Sequence, residues 1–525
     1  MGERKYILAI DHGTSGVRTT LVALDGEVVD CATEATPVRY LPGGGAEQDP
    51  DEWWRAFVAT ARRVTGGGSA AVDDVIGVGC SSTYSSTVVV DAAGRHLLPA
   101  LTWLDARGAP HVRRRMGGWP SVKGYGAAKA LRFLRVAGGA PTLSGKDSIA
   151  HMMFVQQERP EVYRAADRFL ESKDWFNLRL TGRVAASFDS AMLFWATDTR
   201  DIERVRWDPG LIAALGVDRE KLPPLRRATD VLGPLLDGVA DEIGLPRGLP
   251  VAVGAADLAS ACVGSGAVED YAGHVYLGTS SWVLCHVPER RIDPFHAVAS
   301  LPSAIPGKYF CADEQDSAGA CLEFLLRNVL FRKNALVDRE PPADALRRMD
   351  EVAAGVAPGA GGLLFAPWLN GEKTPVDDEA LRGSLCNVSL TTTSDEIVRA
   401  VYEGVAHNVR WVLGYVEKLV GRRLDPLHIV GGGAQSAVWC RIFADALDRT
   451  MRQVREPRHA NARGAAWIAA VALGRMRFED IPGLVRLAEE FRPDPATRAT
   501  YDRAFGEFAR LYGSQKGMYR RLNAR

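Results

Sequence analysis

The sequence predicts an α/β protein of two large domains, and three observations predict it. The chain has 525 residues, too many for one hydrophobic core. β-Branched apolar runs alternate with helical blocks in both halves. A Gly-Thr-Ser turn between apolar runs occurs once in each half, as "HGTSGV" at 12–17 and "LGTSSW" at 277–282.

Composition narrows the function classes. Apolar residues make up 46% and charged residues 24%, as in a soluble globular protein. Lys plus Arg equals Asp plus Glu, 64 each, so charge gives no case for nucleic acid or an anionic membrane as partner. The eight cysteines are scattered without C-x-x-C spacing, which argues against a zinc site or redox dithiol and for reduced thiols. No apolar run reaches the ~20 residues of a membrane span. A cytoplasmic location is the expectation.

In chain order, 6–11 and 17–24 read as two strands around a tight turn. The segments "VIGVGCSS" (75–82) and "STVVVDAAGRHLLP" (86–99) repeat that grammar. Helical blocks follow through "LRLTG". "GLPRGLPVAVGAAD" (244–257) reads as a linker entering a new strand, so the boundaries are set at 1–246, 247–484 and a helical tail at 485–525. Strand–turn–strand recurs at 272–289. Thr393 and Glu396 form a capping box for a long helix whose Ile397, Val401, Val405 and Val409 share a face. "LHIVGGGAQSAVWCRIFADAL" (427–447) is strand, Gly-rich turn, helix.

One Gly-Thr-Ser turn is most often plain hairpin chemistry. Two, each opening an α/β domain, suggest duplicated domains facing each other. Backbone N–H groups at a Gly turn, with hydroxyls beside them, make a nest for phosphate oxygens. "VGGGAQS" (430–436) suits close approach by a base or phosphate. Asp11, before the first turn, suits a water-mediated Mg²⁺ or an Asx-turn. Asp257, at the end of "VAVGAAD", suits a general base or a helix N-cap. Trp103, Asp105 and Arg107 alternate in "LTWLDARG"; on an extended segment they would share one side and could bind a polyhydroxylated ligand. "APTLSGKD" (140–147) is a false P-loop, with Asp147 where Ser or Thr must reach a metal.

Together these pieces resemble the FGGY carbohydrate kinases of the actin-like ATPase superfamily, in order from about residue 6 to 475. "AIDHGTSGVRTTLVALDG" looks like the first phosphate motif, "VAVGAADLASACVGSGAV" the segment with the catalytic Asp, and "YLGTSSW" the second phosphate motif. "DSAGACLEFL" and "GGGAQSAVWCRIFADAL" resemble the nucleotide-side elements. "PWLNGEKTPVDDEALRGSL" resembles the Gly-Glu-Arg-Thr-Pro block, with Lys373 for the usual Arg.

The resemblance implies two RNase H-like domains across a deep cleft, ATP with Mg²⁺, and phosphorylation of a ketose or polyol hydroxyl. Asp11 would orient hydrated Mg²⁺. Gly13, Thr14, Ser15 and Arg18 would face the phosphates from one side, and Gly278, Thr279 and Ser280 from the other. Gly319, Gly432, Gly433 and Gln435 would border adenosine. Asp257, with an ordinary carboxylate pKa of ~4, would take the proton of the attacking hydroxyl. Thr83, Tyr84, Ser85, Trp103 and Asp105 would lie by the sugar. Xylulose kinases of the family carry Ser-Gly-Gln-Met-His-Gly, and glycerol kinases Asn-Gln-Arg-Glu-Thr, where this chain has "SSTYSS". The missing Arg-Glu pair counts against glycerol; the missing Met-His pair leaves D-xylulose unsecured, with a pentulose as leading substrate. Many related kinases are dimers, so a homodimer is compatible. The alternative is a catalytically weak sugar sensor or scaffold on the same fold.

Overall fold

The computed structural model describes residues 4–332, 334 and 338–523; the ends of the first domain and of the tail, 1–3 and 524–525, lie outside the described residues. Apolar alternation with Gly at the turns folds β1 (Tyr6–Gly13), β2 (Gly16–Ala23) and β3 (Val28–Ala35) into an antiparallel meander. Val75–Ser82 joins β1 in parallel, then Pro250–Ala252 in parallel and Val231–Pro234 antiparallel complete six strands.

The second half repeats this order around a new centre. Gly273–Leu277 pairs antiparallel with Ser281–Val287 on one side and parallel with Leu427–Val430 on the other. Met451–Val454 follows in parallel and Leu487–Phe491 antiparallel, within an eight-stranded sheet. Two sheets with the same sequence of strand directions are the duplication that the paired turns suggest. A further five-stranded sheet, built from Arg39–Leu41, Gly45–Gln48, Thr87–Val90, Ala100–Leu101 and Arg168–Glu171, is added to the first half.

Several expectations are corrected. Val75–Ser82 and Thr87–Val90 belong to different sheets, so 83–86 crosses between sheets and is no hairpin tip. The helical region around 148–182 contains the strand Arg168–Glu171. "GLPRGLP" is no domain linker: Gly244 caps the Asp237–Ile243 helix in a left-handed conformation, and Pro250–Ala252 returns to the first sheet beside Val78. The 246/247 boundary therefore cuts through the first body. The expected tail begins with a paired strand, and its Arg498–Leu522 helix buries Tyr501, Phe508 and Tyr519. Phe508 packs on Trp368. The capped helix forms as expected over Ser394–Val420.

The two halves meet where the helices Asp257–Gly264 and Ala460–Ala472 cross. A Cβ on Gly464 would overlap the carbonyl of Ser260, so the backbones touch. The Ala460–Ala472 helix also lies on β1 and Val75–Ser82. Its Trp467 Nε1 donates to Leu24 O at 3.1 Å, tying the second half to the first.

Candidate active site

The first hairpin closes through the pair Gly13–Gly16, leaving Thr14 and Ser15 as a two-residue turn. The rung two residues behind the turn is charged. Asp11 pairs with Arg18 across the ladder, Nη1 lying 3.4 Å from Oδ2. Both reach the second half: Arg18 donates to Arg458 O at 3.0 Å, and the Asn461 side chain hydrogen-bonds Asp11. Side chains hold the tip. Trp103 Nε1 donates to Thr14 Oγ1 at 2.8 Å, and Gln48 Nε2 to Thr14 O at 3.0 Å. Ser15 stays exposed.

The second hairpin closes at Leu277–Ser281, so Gly278, Thr279 and Ser280 form a three-residue loop. The next rung is aromatic: Tyr276 and Trp282 stack with centroids 4.0 Å apart. Backbone holds this tip. Gly319 N donates to Gly278 O at 2.9 Å, and Ala318 N to Thr279 O at 2.8 Å. A Cβ on Gly319 would lie 2.6 Å from Gly278 O, which accounts for glycine there. Gly433 lies beside Leu277 of the same hairpin, while Gly432 and Gln435 are exposed.

The two hairpins face one another. The Tyr276 hydroxyl, raised in pKa by burial, also feels the charges of Asp11, Asp257 and Arg18. Asp257 is the first residue of its helix; Ala256 occupies the cap position, so the N-cap alternative fails. Its Oδ1 accepts only the neighbouring Leu258 N–H, at 2.9 Å. Burial, then the charge of Asp11, pushes the Asp257 carboxyl well above the usual carboxylate range. This corrects the expected ordinary acidity. Asp11 is raised by burial too, against the pull of Arg18.

In the 83–86 turn, Thr83 N donates to His12 O at 2.9 Å, and the hydroxyls of Thr83 and Ser86 lie 3.2 Å apart. Ser86 N donates to Glu171 Oε2 at 3.2 Å, and Ser148 donates to the other oxygen. Burial pushes the Glu171 carboxyl up to about 8. Ser85 is buried, and Tyr84 is half-buried with its hydroxyl sealed. The 102–108 segment turns and does not extend. Asp105 is fully buried, with its oxygens on Arg107 and on Ala46 N at 2.9 Å, whereas Trp103 reaches Thr14. The three side chains therefore do not share one ligand-facing side.

Sequence patterns did not disclose the grip on the Asp257 segment. Lys173 Nζ donates to Val253 O at 3.1 Å, Asn177 Nδ2 to the same oxygen at 2.8 Å, and Ala256 N to Asp189 Oδ2 at 2.8 Å. All three side chains are fully buried. Glu314 was missed as well: its charge acts on Asp257. Burial works to raise the Glu314 carboxyl, but Lys373, ion-paired to it, outweighs burial and holds it below its usual value. Lysine thus fills the expected arginine position with an ion pair intact. "KDW" and "DSA" are the only local signals of this grip, and neither has a chemical signature.

Known proteins resemble this chain over nearly its whole length. The model of the FGGY family of carbohydrate kinases matches with its N-terminal domain over residues 6–264 and its C-terminal domain over 273–473. A xylulose kinase of Escherichia coli is 29% identical over 510 residues, covering 96% of this chain and 98% of that protein. Two Lactobacillus acidophilus crystal structures share the fold at TM-score 0.85, covering 99% of this chain and 100% of theirs. One is a gluconate kinase at 20% identity, the other a ligand-bound xylulose kinase at 21%.

Proposed function

Since the chain belongs to the FGGY family of carbohydrate kinases, we propose that it moves the γ-phosphoryl group of ATP to a hydroxyl of a neutral ketose or polyol, with a pentulose such as xylulose preferred and Asp257 taking the proton. One observation carries this: the two Gly-Thr-Ser hairpins come close enough that the charges of Asp11, Asp257 and Arg18 act on Tyr276 of the second. The family phosphorylates carbohydrates with ATP and, generally, a divalent metal.

Phosphoryl transfer needs alignment and charge neutralisation more than covalent help. The amides and hydroxyls of Gly13, Thr14 and Ser15, with Arg18, cradle the phosphates from one side. Gly278, Thr279 and Ser280 do so from the other. Gly432 and Gln435 border the adenosine at an exposed edge, and Gly319 and Gly433 set the hairpin that carries it. Two buried carboxylates, with one guanidinium beside Asp11, fit a hydrated divalent cation. Asp11 would hold Mg²⁺ through waters; the ion neutralises phosphate charge when bound. A raised Asp257 suits a proton acceptor, because burial makes its carboxylate more basic. Thr83, Tyr84, Ser85 and Trp103 border the sugar, and Asp105 fixes Arg107 and the 45–48 strand behind them.

The burial that raises the carboxyls of Glu171 and Asp189 beside this wall disfavours any anion there, and so favours a neutral acceptor. The E. coli relative's name supports a pentulose. A sugar sensor has no observation in its favour, since both hairpins and both acids are intact. The test is a panel of D-xylulose, D-ribulose, xylitol, glycerol and gluconate with MgATP, with products identified by mass spectrometry and NMR. A phosphorylated neutral sugar, fastest for a pentulose, is expected. Gluconate as best acceptor, or no product, would overturn the proposal.

A further inference from the structure

A cavity of about 280 Å³ lies at the seam between the two halves, and no residue of either hairpin loop lines it. The first half contributes the 24–27 turn that joins β2 to β3, at the opposite end of β2 from the Gly13–Gly16 pair. The second half contributes Arg455, Glu456, Arg463 and Arg486. The turn is held against the second half from behind. Trp467 Nε1 donates to Leu24 O at 3.1 Å and Arg463 Nε to Gly26 O at 3.0 Å. The wall is therefore built from both halves and fixed in place.

The charges of this wall are not matched from within. Arg4 pairs with Asp25 and Glu27, at 3.4 and 2.7 Å, and Arg486 also reaches Asp25 at 3.3 Å. Arg463 is only 5% exposed. Among the described residues, its hydrogen bonds all go to backbone carbonyls, those of Gly26, Gly264 and Arg455. Glu456, its ion-pair partner, stays 3.8 Å away, beyond hydrogen-bond distance. Burial works against that guanidinium; the charge of Glu456 opposes burial, and the charge of Arg486 adds to it. The Arg455 side chain has no partner among the described residues. With Arg4 included, the guanidiniums of Arg4, Arg455, Arg463 and Arg486 outnumber the carboxylates of Asp25, Glu27 and Glu456. A buried cation is tolerated when a hydrogen-bonded anion answers it, and here the protein does not supply one.

Guanidinium forks match the oxygens of a phosphate group. Carboxylates accept and do not donate, which suits hydroxyls. The volume is at the small end of ligand pockets. A small molecule with a phosphate at one end and hydroxyls at the other satisfies all three. We propose that this cavity is a second ligand site, separate from the catalytic hairpins, that takes a small phosphorylated sugar. The phosphate lies on Arg455, Arg463 and Arg486, and the sugar hydroxyls donate to Glu27 and Glu456. The ligand is read from the cavity and does not depend on the kinase function.

The experiment is calorimetry on the full chain without nucleotide, with D-ribose 5-phosphate and inorganic phosphate as probes. Wild type should bind ribose 5-phosphate, and inorganic phosphate about tenfold more weakly. Arg455→Ala and Arg486→Ala should each weaken ribose 5-phosphate about tenfold, and Arg455→Glu should abolish its binding. Arg455→Ala removes no hydrogen bond made by a side chain, so it should melt as wild type does. Turnover of all three variants should stay within about twofold of wild type. A phosphate held in the catalytic cleft would be indifferent to these substitutions. Ribose 5-phosphate binding that Arg455→Ala and Arg486→Ala leave unchanged, or no binding of either probe, would overturn the proposal. Equal affinity for the two probes would overturn the sugar phosphate as ligand. A failure of the acceptor panel to give any product would overturn the kinase function and leave this site standing.

Discussion

The two hairpins carry the same three letters and are not the same device. Gly13-Thr14-Ser15 sits in a two-residue turn; Gly278-Thr279-Ser280 is itself a three-residue loop. Behind the first lies a charged rung, Asp11 with Arg18; behind the second, stacked rings. The side chains of Trp103 and Gln48 pin the first tip, and the backbone of 318–320 pins the second. The shared letters provide what any phosphate nest needs, close backbone approach and hydroxyls. On the proposed function, what stands behind them differs in chemistry: a place for a cation and a link to the acceptor on one side, an apolar plate and a link to the nucleotide on the other.

That difference predicts asymmetric mutants. Asp11→Asn should lower kcat by about 100-fold or more, because it removes the charge that answers a divalent cation. The counterpart one rung behind the second turn, Tyr276→Phe, should stay within about threefold of wild type. Steady-state rates at saturating ATP and sugar check both; equal losses would erase the distinction. Gly319→Ala comes next. Its methyl would press on Gly278 O and displace the second hairpin, raising KM for ATP by about tenfold with sugar affinity unchanged. Titration of each ligand by calorimetry separates the two. Trp103→Phe, which loses the bond to Thr14, should raise KM for the sugar several-fold with a smaller change for ATP.

The smallest effect on turnover belongs to Glu171→Gln, which keeps the turn's hydrogen bonds. Burial raises Glu171 to about 8 from an ordinary value of 4.5. Its contribution to stability is present below the unfolded pKa and is lost as pH rises through the folded one. Wild type and variant should therefore melt alike near pH 4, with the variant gaining as pH rises from about 4.5 to about 8. Thermal melts across that window measure the gap; a constant gap would deny the buried acid.

Local features were legible in the sequence, and assembled ones were not. The hairpins, the Thr393 cap and the strand into Gly431 follow from alternation, a cap residue and glycines within a few positions of each other. "GLPRGLP" misled because a helix stop followed by Pro-flanked turns looks the same whether the next strand opens a new sheet or returns to an old one. Asp189, Lys173 and Glu314 could not be found locally, since each acts through a backbone or a carboxylate far away in sequence. Asp105 was chosen for its spacing, but a turn at 102–108 put its carboxylate inside. The acidity of Asp257 was not legible, because it is raised by burial in the assembled fold and then by the charge of Asp11, far away in sequence.

The central claim is that Asp257, held between unlike hairpins, accepts the proton of a sugar hydroxyl as the phosphoryl group is transferred. The most direct measurement pairs sugar-dependent ADP release with calorimetric sugar binding in Asp257→Asn. Turnover about 100- to 10,000-fold below wild type, with sugar affinity within a few-fold, is the predicted result. Near-normal turnover in the variant would contradict the claim.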